Sequence, residues 1–224
     1  MKYRDWHNRA VELSEKGMSK HHEMVGKIFP TNNGGDCVVV EYINARNVTV
    51  MFLDEYKYTK KTQAVHVREG RVLNPFYPSI YGVGFIGTGK HKASFNRKDT
   101  KIYKDWASMI GRGYCSKTKK KYPTYKDCTV CKEWHNFQNF AEWAVQQPFY
   151  GLGYQLDKDI LVRGNKLYSP ETCCYVPQQI NKLVLARNAK DSKEKEGNIK
   201  RTALVWKDKI GEDVFESLMN WTVD

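Results

Sequence analysis

The chain has 224 residues, 41% hydrophobic and 13% aromatic, enough to bury one good core or two small ones but not three. Its formal charge of +12 and pI near 9.3 point to a polyanionic partner, because each phosphate met by a Lys or Arg releases condensed counterions. No segment approaches the roughly 18 to 20 apolar residues that span a bilayer, and Met1-Lys2-Tyr3-Arg4-Asp5-Trp6 lacks the apolar core of a secretion signal. Nucleic acid therefore outranks membrane, and the cytoplasm is the expected compartment. Six cysteines in a cytoplasmic chain leave metal ligation, catalysis or burial as their uses.

In chain order, residues 1–25 carry Trp6, Ala10, Val11 and Leu13 among many charges and predict a short N-terminal helix. Residues 26–95 then change pattern. The β-branched and aromatic runs Val38–Tyr42, Val48–Phe52 and Ala64–Val67, separated by turn residues, predict a small, strongly bent antiparallel sheet or barrel. Asn74-Pro75, Tyr77-Pro78 and the glycines at 82, 84, 87 and 89 predict a connector. Gly82, Gly84 and Gly87 match G-x-G-x-x-G, but Lys90-His91-Lys92-Ala93-Ser94 lacks the helical periodicity a dinucleotide site requires, so the glycines are read as a bend.

From Tyr103 the period is helical, with Trp106, Met109 and Ile110 on one face and an end at Gly111 or Gly113. A basic stretch follows. Lys117, Lys119, Lys120, Lys121 and Lys126, with Arg112 before them and Arg163 further on, are the candidate nucleic-acid contacts. The lysines interleave with Tyr114, Tyr122 and Tyr125, a mixture that suits a phosphate backbone, although a solvated surface loop has the same composition. Trp134, Phe137, Phe140, Ala141 and Ala144 place a helix with a buried aromatic face over 133–145. Residues 186–200 read as a polar linker or an exposed helix, and 201–224 as a closing amphipathic helix that docks on the body or on a second copy, giving a homodimer.

Two constellations could carry chemistry. Cys128-x-x-Cys131, with Cys115 upstream and Cys173-Cys174 downstream, could hold structural zinc through Cys115, Cys128, Cys131 and Cys174. His135 is an alternative ligand, and buried thiols acting as small hydrophobes are the competing reading. The second runs from Leu156-Asp157-Lys158-Asp159-Ile160-Leu161 through Tyr168-Ser169-Pro170-Glu171-Thr172-Cys173-Cys174 to Val176-Pro177-Gln178-Gln179-Ile180-Asn181. A strand-end carboxylate and a downstream Asn on a short helix supply oxygens of the kind a hard divalent ion prefers. An ordinary charged hairpin of Asp157, Lys158, Asp159 and Arg163 is the plainer alternative.

The series Trp106-x-x-Met109, Gly113-Tyr114-Cys115, Tyr125 to Cys131-x-x-Trp134, Leu156-Asp157, Tyr168-Ser169-Pro170-Glu171 and Cys174 resembles the HNH proteins of bacteriophages and mobile DNA, over roughly residues 80 to 185. The resemblance implies an α+β fold: an N-terminal helix, a small β-barrel-like module, a central ββα (treble-clef) unit over 100–185 and a C-terminal helix. It also implies a bacterial host cell and metal-dependent hydrolysis of double-stranded DNA with Mg²⁺ or Mn²⁺. By position, Asp157 corresponds to the metal-binding acid, Asn165 to the Asn that holds the hairpin loop, and Asn181 to the polar residue completing the metal site. Lys158 stands where the general-base histidine belongs, so Asp157, Lys158 and Asn181 are the candidate catalytic residues. A lysine of ordinary pKa is already protonated and cannot serve as a base. Three readings follow: Lys158 acts with a depressed pKa; Asp157, Asp159 or His135 activates a metal-bound water; or cutting is lost and Lys158 contacts phosphate. In the last case the protein binds DNA, RNA or a host nucleic-acid-handling protein as a regulator or inhibitor.

Overall fold

The computed structural model describes residues 23–148, 150–151, 153–185 and 192–222. The chain divides into two compact units, Met1–Ser79 and Ile80–Asp224. The fold is mixed α/β. Among the described residues no helix is long and apolar enough to cross a membrane. The predicted N-terminal helix lies almost wholly outside the described residues; of its last residues, Met24 is buried in the core of the first unit.

The first unit is an antiparallel sheet in the order β1 (Ile28–Pro30), β2 (Asp36–Asn44), β3 (Asn47–Phe52), β4 (Thr59–Thr62), followed by the short helix α1 (Ala64–Arg68). Strict alternation on β3 sends Val48, Val50 and Phe52 inward, where Val39 of β2 and Ala64 and Val67 of α1 cover them. Register shifts in β2 between Val39 and Glu41 and between Tyr42 and Asn44 bend the hairpin. The expected barrel does not close, since β1 and β4 remain the sheet's edges. Four strands, two of them only three and four residues long, cannot supply a complete ring of pairing.

The second unit opens with the glycine-rich segment and a minimal hairpin, β5 (Ser94–Phe95) and β6 (Lys98–Asp99). Helix α2 (Lys101–Tyr114) follows, its N-terminus capped by Thr100, which accepts from the Tyr103 amide. It runs through Gly111 and Gly113 instead of ending there. Both glycines serve packing: a Cβ at Gly111 would lie 3.0 Å from the Tyr81 ring, and one at Gly113 3.2 Å from Val130. A Cβ at Gly84 would likewise lie 3.0 Å from the Trp106 ring, so the glycine-rich segment seats against the core.

Helix α3 (Ser116–Lys121) comes next, then β7 (Thr129–Val130), a 3-10 turn over Lys132–His135 and α4 (Phe137–Gln146). The helix predicted over 133–145 is thus broken at Asn136, whose side chain caps α4 by accepting from the Gln138 amide. Trp106, Met109, Ile110, Trp134, Phe137 and Phe140 fill the main core, and buried Trp106 donates its Nε1 hydrogen to the Trp134 carbonyl at 2.7 Å.

The remainder is β8 (Gln155–Asp157), β9 (Leu167–Tyr168), β10 (Cys174–Val176), α5 (Gln178–Leu185), α6 (Ser192–Val205) and α7 (Glu212–Met219). Strand β9 pairs parallel with β7, and β10 antiparallel with β8. Of the polar stretch 186–200, residues from Ser192 onward are helical: Ile199 is buried, and Lys195 donates to the Val184 carbonyl at 3.3 Å. The closing amphipathic run is two elements, separated by Trp206 and a 3-10 turn at Lys207–Lys209. Val214 and Leu218 of α7 join Ile180, Val184, Ile199 and Ala203 in a second core. The last helix therefore docks on the body of its own unit.

Candidate functional site

The polar loop after β8 is built by its own side chains. Asp157 ends β8 opposite Cys174 of β10 and is only 6% exposed. Its Oδ1 accepts from the amides of Asp159 at 2.7 Å and Ile160 at 2.9 Å, turning the chain away from the strand. Burial raises the Asp157 pKa, against the lowering effect of those two amides.

Lys158 turns inward. Its ammonium donates to Asp159 Oδ1 and to the Asn165 carbonyl, both at 2.6 Å, and lies over the Tyr168 ring. Asn165 closes the other side, donating to the Lys158 and Leu167 carbonyls and accepting from the Leu167 amide. Asn165 thus holds the loop, as expected of it. Lys158, 5% exposed, is a strut inside that loop, and the expected roles of general base and phosphate contact do not fit a buried ammonium held by two acceptors.

Asn181 sits one turn into α5, which follows β10 after Pro177. Its Nδ2 donates to Gln155 Oε1 of β8 at 2.9 Å, while its buried Oδ1 has no hydrogen-bond partner among the described residues. Asp157 and Asn181 are therefore both buried in one strand-strand-helix unit, each on a different element and each with a different neighbour. A hard divalent ion takes about six oxygens. Among the described residues no three His, Cys, Asp or Glu side chains gather in a group able to hold a metal. The donor set present does not fit a catalytic ion as it stands.

Among the described residues the cysteines form no group of three able to hold a metal. Cys128 and Cys173 lie in the main core, Cys174 in the second, and Cys131 is packed against the main core. Cys115 stands at the start of α3, its thiol pKa lowered by a hydrogen bond from Thr118. Burial pushes Cys131 up to about 11 and Cys173 up to about 12, and holds Cys174 well above the ordinary thiol value. Buried thiols of this kind behave as small hydrophobes. Cys115, Cys128, Cys131 and Cys174 do not make a tetrahedral set. His135, the alternative ligand, shares a hydrogen bond of 3.0 Å with the Tyr114 hydroxyl, and burial lowers its pKa.

The basic stretch forms a coherent surface. Helix α3 buries no residue, and Lys117, Lys120, Lys121 and Lys126 are exposed. Lys119 is half-buried and donates to the Cys128 carbonyl at 3.3 Å. Lys121 lies over the Tyr122 ring and Arg112 over the Tyr125 ring, with the two tyrosines edge to face. Burial works against the Arg112 charge, but Tyr168, Tyr125 and Asp157 together raise its pKa.

Lys166 also belongs here. Its ammonium reaches the Thr124 carbonyl at 3.4 Å, a neighbour invisible to spacing because it depends on the parallel pairing of β7 with β9. Arg163 is placed elsewhere, over the Trp221 ring with its guanidinium donating to the Thr222 carbonyl.

A separate cleft of about 430 Å³ lies between α2 and β8, lined by residues of both and by Asn181. Of its lining, the sequence points to Arg112, Leu156 and Asn181. Comparison of the chain with models of protein families, with curated proteins and with solved structures finds no match.

Proposed function

We propose that this chain binds DNA through the surface of α3 and the turn after it, displayed on a ββα unit of the HNH type made by β8, β10 and α5. The carrying observation is that Gly111 to Lys126 contains six basic residues and no acidic one, four of the six on α3, a helix that buries nothing. A core-forming helix must cover something, whereas α3 carries four lysines beside Ser116 and Thr118, and the turn after it adds the Tyr122 and Tyr125 rings. Lys117, Lys120, Lys121 and Lys126 contact phosphates, Tyr122 and Tyr125 pack against sugars and bases, and Arg112 is held ready by Tyr125 and Tyr168.

On this reading the ββα unit is a scaffold and does not cut. Its support is the state of Lys158, which occupies the place of the proton acceptor and is a buried donor to two oxygens. Metal-dependent hydrolysis is the second reading. It is favoured by the burial of Asp157 and Asn181 in the same unit and by the unpartnered Asn181 Oδ1.

One experiment separates the two. Supercoiled plasmid is incubated with the protein in Mg²⁺ or Mn²⁺, beside EDTA and an Asp157→Ala control, and parallel samples are run as gel shifts over a salt series. Intact plasmid that shifts at low salt is expected. Nicked or linear plasmid that vanishes in both controls would establish hydrolysis instead, and the absence of any shift would remove the DNA reading.

A further inference from the structure

The hairpin β5–β6 buries none of its four strand residues and carries an aromatic ring in water. Ser94 pairs with Asp99 and Phe95 with Lys98, so Asn96 and Arg97 alone make the turn. Phe95 is 64% exposed and belongs to none of the cores. Its ring adds nothing to the fold that a polar residue beside a tight turn would not.

The turn supplies a second, independent feature. The angle φ is +48° at Asn96 and +61° at Arg97. Two positive values in a two-residue connection mark a turn of the I′ kind, in which Asn suits the first place and Gly the second. A residue with a Cβ is strained in the left-handed region, and Asn tolerates it better than Arg. Arginine at the second place therefore gives up stability that glycine would keep, and holds a guanidinium at the outermost point of the hairpin.

Charge names the partner. Residues 90–104 hold six Lys or Arg against Asp99 alone. Lys90 and Lys101 face Glu142 and Asp105, while Lys92, Arg97, Lys98 and Lys104 are exposed. Lys101, Lys104, Ser108 and Arg112 recur at three- and four-residue spacing and so share one face of α2. That face begins at the hairpin and ends at Arg112, over the Tyr125 ring beside α3. The 14 residues of α2 set the two basic regions about 20 Å apart, about six base pairs of duplex. Resting on the DNA-binding reading above, we infer that the hairpin is a second arm on the same duplex: Arg97, Lys98 and Lys104 meet phosphates, and the Phe95 ring enters a groove against a base step.

The test is fluorescence anisotropy of the full chain with a labelled duplex over a salt series, beside thermal melts. Phe95→Ala should weaken binding by about fivefold or more at every salt concentration, with the slope of log Kobs against log salt unchanged, because stacking involves no counterion. Phe95→Trp should restore the affinity. Arg97→Gly relaxes the turn, so its melting temperature should be no lower than that of the unaltered chain, while its salt slope becomes shallower by about 0.9. Full affinity in Phe95→Ala, a loss that Phe95→Trp does not restore, or an unchanged slope in Arg97→Gly would overturn the inference. Absence of binding by the unaltered chain would remove the DNA reading itself, whereas unaltered binding by the variants removes the hairpin alone.

Discussion

Replacing Lys117, Lys120 and Lys121 together by Gln tests the basic surface with little risk to the fold. All three are exposed, α3 buries nothing, and Gln has nearly the helix propensity of Lys. Lys119 is left in place because it holds the Cys128 carbonyl. If each lysine neutralises one phosphate, the slope of log Kobs against log salt becomes shallower by about 2.7, from 0.9 per contact. Between 50 and 200 mM salt the logarithm of concentration changes by about 0.6, so the unaltered protein should lose about 40-fold more affinity than the variant over that interval. Anisotropy titrations at five salt concentrations measure both slopes, and circular dichroism confirms equal folding. A variant slope within about 0.5 of the original would refute the assignment of these lysines to phosphates.

Other positions give sharper tests of the frame. Lys158→Met should lower unfolding stability by about 2 kcal/mol, by removing two charge-assisted hydrogen bonds within the loop, while leaving the salt slope of DNA binding unchanged. Denaturant melts and the same titrations read both quantities, and a flatter slope would make Lys158 a phosphate contact after all. Gly111→Ala, although it improves helix propensity, should destabilise by about 1 to 3 kcal/mol, because the added Cβ meets the Tyr81 ring at 3.0 Å. An increase in melting temperature would show that Tyr81 swings aside.

Glu142 is bonded by Lys90, His91 and Gln146, which hold its pKa down to about 2 from the ordinary 4.5. A depressed folded-state pKa contributes stability that is present above pH 4.5 and lost as pH falls towards 2. Glu142→Gln should therefore narrow the difference in melting temperature between pH 6 and pH 3, and an unchanged difference would count against the cluster.

What the sequence made legible follows from how local each signal is. The alternation of β3 and the aromatic face of Phe137, Phe140, Ala141 and Ala144 depend only on neighbours in the chain, and both elements formed where the periods indicated. Gly111 and Gly113 misled for the same reason. Read locally they end a helix, whereas the structure uses them to admit Tyr81 and Val130 from distant segments. Barrel closure depends on strand number and length, which the spacing of β-branched runs does not fix. The zinc quartet assumed that four cysteines converge, whereas among the described residues no three His, Cys, Asp or Glu side chains gather into a group able to hold a metal, which pair spacing cannot report. Lys166 and the cleft residues Lys101, Asp105 and Ser108 were missed because their significance arises only when β7 meets β9 and α2 faces β8.

The lysine at residue 158 sets the charge of the loop after β8. With a histidine there, neutral near pH 7, the Asp157 and Asp159 carboxylates would give the loop a charge of minus two to offer a dication. The Lys158 ammonium, paired with Asp159, brings the loop to minus one. Arg112, close enough that Asp157 helps raise its pKa, brings the local sum near zero. A neutral, internally bonded loop gives a divalent cation little Coulombic reason to shed its water, while it gives a phosphodiester approaching Arg112 little repulsion. By this count a lysine at residue 158 favours phosphate over a cation beside the loop, compared with a histidine there. Lys158→His should reverse the sign: binding of Mn²⁺, followed by calorimetry, is expected to be stronger in the variant than in the unaltered chain. Equal or weaker binding would show that charge at residue 158 does not set the preference.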